Sequence, residues 1–210
     1  MISLSEILHT IAQALMIPCL IILLVLMAGA VWQIGDIVVE YIAERRKHKC
    51  EVPQLLRDVH TAGADGLADL IENSGLLRRQ KKALLELAES RGLPKDTLTA
   101  LAERLLATEE ARNARTTSVT DMIAKLGPMF GLLGTLIPLG PGIVALGQGD
   151  TVTLSESMNV AFDTTIAGVI SAAVASVISH IRKRWYNDDM VSLETLMEAV
   201  LEEVTSDVEG

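Results

Sequence analysis

The stretch from Leu126 to Gly147 reads LGPMFGLLGTLIPLGPGIVALG. It carries no charge over a length that could cross a bilayer, for which about 20 apolar residues suffice. Gly127, Gly131, Gly134, Gly140 and Gly142, with Pro128, Pro138 and Pro141, set it apart from an ordinary lipid-facing helix. Gly127 and Gly131 form a GxxxG pair, and Gly134 extends a smooth face that another helix can approach closely. Pro138 cannot donate to the carbonyl of Gly134, nor Pro141 to that of Ile137. Such carbonyls need a partner or water inside a bilayer. The expectation is a helix that faces a wet or protein-lined interior from about Gly134 outward, with the Thr135 hydroxyl beside the break in its hydrogen-bond ladder. The alternative is a kinked packing helix whose freed carbonyls are met by neighbouring side chains.

The rest of the chain fits an all-α membrane protein with three transmembrane helices. Hydrophobic residues make up 50% of the 210 positions but aromatics only 3%, so the apolar mass is aliphatic and suits helices better than a β-sandwich. Residues 1–10 read as an interfacial segment without Lys or Arg, and therefore without the basic start of a secretory signal. Residues 11–34 read as the first span, with Pro18 in an outer turn and Trp32 at headgroup depth. Residues 35–124 form a charged helical domain. Within it, Leu76 to Arg91 reads as an amphipathic helix stopped by Gly92, and Pro94 opens a long helix that continues into the second span, residues 125–147. A short loop, 148–157, follows, in which Ser155 or Ser157 can cap the next helix. Residues 158–181 are the third span. Residues 182–210 are an amphipathic helix and an acidic tail, whose stripe Met190, Leu193, Leu196, Met197, Val200, Leu201 and Val204 can pack on the long helix or line a cage between subunits.

Charge sets the expected orientation. The net charge is −9, yet 15 of the 18 Lys and Arg lie in residues 35–125, from the end of the first span to the start of the second, and the others are Arg182, Lys183 and Arg184. The clusters beside the spans, Arg45 to Lys49 and Arg182 to Arg184, place the N-terminus outside and the long helical extensions and the C-terminus in the cytoplasm, by the positive-inside rule.

The third span is rich in small and hydroxyl residues. Thr165, Gly168, Ala172 and Ser176 follow at helical spacing and share a face, with Ala167, Ser171, Ala175 and Ser179 on a neighbouring one. The plainest role of such residues is close packing between helices or subunits. Asp163, beside Thr164 and Thr165, is a carboxylate that must meet water, a partner or a proton if it lies within the bilayer. Near the outer boundary it would simply stay hydrated.

Two segments resemble a known family. Gly127-Pro128-x-x-Gly131-Leu132-Leu133-Gly134-Thr135 and Ala161-Phe162-x-x-Thr165-x-x-Gly168-Val169 are similar to the channel motifs of the MotA/TolQ/ExbB proton-channel proteins, as are the three-span order and the long helix before the second span. The resemblance implies a homo-oligomeric ring of five around two copies of a single-span partner of the ExbD/TolR/MotB type, in the inner membrane of a prokaryote. The partner would carry a protonatable aspartate, and ion flow, H+ or Na+, would be coupled to mechanical work. Carried over by motif, Thr135 and Thr165 line the ion path, with Asp163 and Thr164 beside it. Gly127, Gly131, Gly134, Pro138, Gly168, Ala172 and Ser176 form the packing or pore wall. The sequence departs from the family pattern at Leu136-Ile137-Pro138-Leu139-Gly140-Pro141 and at Ala172-Ala173-Val174, and it resembles the TolQ/ExbB side more than the flagellar one.

Other classes find little support. His9, His48, His60 and His180 are scattered, no nucleophile–base arrangement occurs, and the glycines of the second span lack the Lys-Ser/Thr and preceding strand of a phosphate loop. No enzyme, cofactor, metal site or disulfide is expected. The basic clusters flank spans and suit anionic lipid better than nucleic acid. The competing reading is a non-conducting helical membrane scaffold, which would tolerate alanine at Thr135 and Thr165.

Overall fold

A computed structural model describes residues 4–42 and 52–209. The basic run Arg45 to Lys49 lies outside the described residues. The described chain is built of six helices: α1 (Leu4–Ala14), α2 (Met16–Glu40), α3 (Val52–Asn73), α4 (Arg78–Glu89), α5 (Lys95–Gly147) and α6 (Thr151–Glu209). No strand occurs among the described residues. Three helical stretches, Glu6–Glu40, Lys95–Gly147 and Thr151–Ser206, are long and apolar enough to cross a membrane.

The chain divides into two compact units, Met1–Ile37 with Thr117–Ile181, and Val38–Thr116 with Arg182–Gly210. In the first unit, α2 begins with Pro18 in its first turn, where the missing N–H leaves no ladder bond unmade. Leu26 and Ala30 of α2, Ile123 of α5 and Ala175 of α6 form its apolar cluster, with Phe130 and Leu126 packed against it. The turn between α5 and α6 uses Gly149 at φ 76°, a left-handed conformation that costs glycine least. Asp150, not Ser155 or Ser157, caps α6. Its Oδ1 accepts from the backbone N–H of Val152 at 3.2 Å and Thr153 at 3.1 Å, and its Oδ2 accepts from the Thr153 hydroxyl at 2.6 Å. These bonds, the Thr153 hydroxyl foremost, hold the Asp150 carboxyl below the usual carboxylate range. The serines lie too far along, since a cap must precede the first free N–H groups.

In the second unit, α3, α4 and the starting turns of α5 share one core with the end of α6: Leu67, Leu84, Leu87 and Leu98 meet Leu196 and Val200. The C-terminal apolar stripe is therefore spent inside its own chain rather than left to line a cage. Gly63 bends α3 with φ 65° and ψ 175°. Gln80 joins α4 to α6: its Oε1 accepts from the Leu77 N–H at 3.2 Å and its Nε2 donates to the Asp189 carbonyl at 3.0 Å.

The second unit also buries an ion pair. Arg182 is 2% exposed, and its Nε donates to Glu40 Oε2 at 3.1 Å. Tyr41 and Trp185 stack nearby with ring centroids 6.1 Å apart. Burial, the Glu40 charge and a hydrogen bond to Glu40 push the Tyr186 hydroxyl up to about 12. A folded-state value above the ordinary value of about 10 favours the native state below pH ~10, and that contribution fades as pH rises toward 12. Wild type should therefore lose stability faster than Tyr186→Phe between those limits, as read by unfolding midpoints of the two proteins in one detergent. Parallel curves would remove Tyr186 from this role.

Candidate functional site

Within the first unit, α5 and α6 approach along a seam of small residues. On α5 the buried positions are Gly127, Gly131, Gly134, Pro138 and Gly142, and on α6 they are Ala161, Thr164, Gly168, Ser171, Ala172 and Ala175. A Cβ placed on Gly127 would lie 2.6 Å from the Gly168 carbonyl oxygen, and one on Gly168 would lie 2.9 Å from Gly131 Cα. Backbone therefore touches backbone, a contact that only glycine permits at both positions. Gly134 receives the side chain of Thr164, whose Cβ would sit 2.6 Å from any Cβ added there. The glycines Gly127, Gly131, Gly134 and Gly168 are thus used between two helices of one chain.

The helix continues through its prolines. α5 runs without interruption through Pro128, Pro138 and Pro141. Each proline deletes one ladder bond, but the adjacent bonds hold the helical path. The Thr135 hydroxyl donates to the Leu132 carbonyl at 2.7 Å, not to the carbonyl that Pro138 leaves undonated.

The other hydroxyls behave alike. Thr165 Oγ1 donates to the Ala161 carbonyl at 3.0 Å, and Thr164 Oγ1 lies 2.9 Å from the Val160 carbonyl and 3.0 Å from that of Ala161. With its proton spent inside the helix, each hydroxyl offers only lone pairs to its surroundings. Thr164 is buried in the seam, whereas Thr135 and Thr165 are half-exposed and border it. Asp163 and Ser176 are exposed. The structure thus divides the expected set: Gly127, Gly131, Gly134, Pro138, Thr164, Gly168 and Ala172 are buried, and Thr135, Thr165, Asp163 and Ser176 remain accessible to something outside this chain. Beyond the seam the helices present exposed apolar side chains, among them Leu132 and Leu136 on α5 and Ile166 and Val169 on α6.

The seam also continues past the glycines into a polar layer. The Thr120 hydroxyl donates to Gln33 Oε1 at 3.0 Å, with both residues buried. Ser179 Oγ donates to Asp121 Oδ1 at 2.5 Å. Thr117, one turn earlier, is buried as well. These contacts join α2, α5 and α6 through polar groups. Sequence reasoning did not find them, although the signal was present: the small and polar positions of α5 recur at steps of three and four from Thr117 through Thr120, Ala124, Gly127 and Gly131 to Gly134.

Comparison with known proteins bears on this arrangement. The family model described as the MotA/TolQ/ExbB proton channel family matches residues 70–195, a span that includes the whole seam. A comparison with curated proteins returned no match.

Proposed function

The chain belongs to the MotA/TolQ/ExbB proton channel family, and from that premise we propose that it is a ring-forming subunit of an ion-driven membrane motor. In this reading, five copies surround a single-span partner that carries a protonatable aspartate, and H+ or Na+ passing between ring and partner drives mechanical work. The membrane is the inner membrane of a prokaryote, with the N-terminus outside and the long helical extensions in the cytoplasm. The distribution of Lys and Arg supports that orientation.

One observation carries the reading. Thr135 and Thr165 are half-exposed beside a seam whose glycines are already consumed, and their hydroxyl protons are already donated within their own helices. Each therefore presents an acceptor, suited to a protonated carboxyl or an ordered water and free of the fixed charge that would trap an ion. Asp163, exposed two residues before Thr165 on α6, adds a carboxylate beside the path. The aspartate of the partner would release and regain its proton as it passes between such threonine-lined positions. The ring would supply unequal water access on the two sides.

The test is proton flux in vesicles containing this protein with its partner. Thr165→Ala is expected to lower coupled flux by on the order of tenfold, the scale of a lost hydrogen bond at a transfer step, and Thr165→Ser is expected to retain most of it. Equal flux in wild type and Thr165→Ala would remove the threonine from the path and leave the scaffold reading in its place.

A further inference from the structure

A closed ring whose copies are related by rotation needs a heterologous interface, in which two different patches of each copy meet. The second unit carries two exposed patches of opposite charge on different helices. On α5, Arg104, Arg112 and Arg115 stand on one exposed face, separated by Ala107, Thr108 and Ala111, so that the small residues form a shallow groove between guanidinium groups. On α6, Asp188, Glu194 and Glu198 are exposed, on the side opposite the buried stripe of Leu193, Leu196 and Val200. Among the described residues, neither set forms an ion pair within its own chain.

The two patches also lie at matching levels. Glu109 and Asn113 of α5 line the same cavity as Asp189 and Met190 of α6, and Leu98 of α5 shares a core with Leu196 and Val200 of α6. The helices therefore run antiparallel through this unit, with Asn113 and Glu109 level with Asp189. Arg112 adjoins Asn113, and Asp188 adjoins Asp189. Arg104 lies five residues before Glu109 and Glu194 five residues after Asp189, each about 7.5 Å further along at 1.5 Å per residue. Rotation about an axis parallel to these helices preserves level, so it can bring Arg112 opposite Asp188 and Arg104 opposite Glu194 of the next copy.

We propose that the Arg104–Arg115 face of α5 docks the Asp188–Glu198 face of α6 from a second copy of this chain. The proposal rests on the ring reading above and adds which surfaces close the ring. A bare charged face is ordinarily just solvated; here two complementary faces, at the same levels and unpaired among the described residues, fit the two different patches that a ring requires. The pairs are solvent-facing, so they set register and partner choice more than affinity and weaken as salt rises.

The experiment uses the full chain in membranes, with Cys19→Ala and Cys50→Ser as background. Two differently tagged copies are co-expressed, one with Arg104→Cys and the other with Glu194→Cys, and treated with a short bis-maleimide. A cross-linked species bearing both tags is expected, with none from Glu103→Cys paired with Glu194→Cys, since Glu103 lies off the arginine face. In parallel, Arg104→Glu with Arg112→Glu should lower the oligomer fraction about threefold to tenfold at low salt, and adding Asp188→Arg with Glu194→Arg should restore it. Monomeric wild type would overturn the ring reading itself. Wild-type oligomers with no dual-tag product and no response to charge reversal would overturn only this docking surface. So would an arginine face that becomes shielded only on adding anionic vesicles or the single-span partner.

Discussion

Gly168→Val is expected to prevent the two long helices from packing, with little folded protein recovered from membranes. The added Cβ alone would lie 2.5 Å from the Gly127 carbonyl oxygen and 2.9 Å from Gly131 Cα. Both obstacles are backbone, so no side-chain rotation relieves them, and the helices must separate along the seam. Overpacking typically costs about 1–3 kcal/mol where side chains can adjust; here the cost should reach or exceed the top of that range. Separation also withdraws Thr164 from Gly134. Gly140→Val is the control, because a Cβ at Gly140 meets nothing within 4 Å. That variant should accumulate in membranes and unfold in detergent within a few degrees of wild type. Similar behaviour of the two valine variants would refute the backbone contact between α5 and α6.

That contrast also marks what the sequence could and could not reveal. The three apolar helices were legible because length and the absence of charge suffice to define them. Gly127, Gly131, Gly134 and Gly168 were legible as a packing face because their spacing is helical, but spacing does not say whether the facing helix belongs to the same chain. The structure assigns them to one chain. The ladder bonds lost at Pro138 and Pro141 do not interrupt the helix, because the remaining ladder and the burial of Pro138 in the seam hold its path. The polar contacts Thr120–Gln33 and Ser179–Asp121 each join residues far apart in the chain. Periodicity can identify the face they occupy, but only tertiary packing identifies the partner. The amphipathic end of α6 was read correctly as a stripe and left open as to its target, since Leu193 and Val200 carry no mark that distinguishes an intramolecular core from a contact between subunits.

Arg182 was legible only as part of a basic cluster of membrane anchors, and its burial leads to the second large effect. Lys183 and Arg184 are exposed, whereas Arg182 is 2% exposed and bound to Glu40. Arg182→Met should destabilise the protein by about 3–5 kcal/mol, because it leaves the Glu40 carboxylate without its cation in a site that excludes most solvent. For a chain of this size that corresponds to a fall in melting temperature on the order of 10 °C. Arg182→Lys should recover little, since an ammonium group has no counterpart to the Nε–H that reaches Glu40 Oε2. Arg182→Met combined with Glu40→Gln should recover much of the loss, because it removes the stranded charge and keeps an acceptor for the Tyr186 hydroxyl. Arg184→Met, which alters an exposed neighbour, should stay within about 0.5 kcal/mol of wild type. A mild Arg182→Met, or a double variant no better than the single, would show that packing of the arginine stem rather than its pairing with Glu40 holds α2 to α6 in this unit.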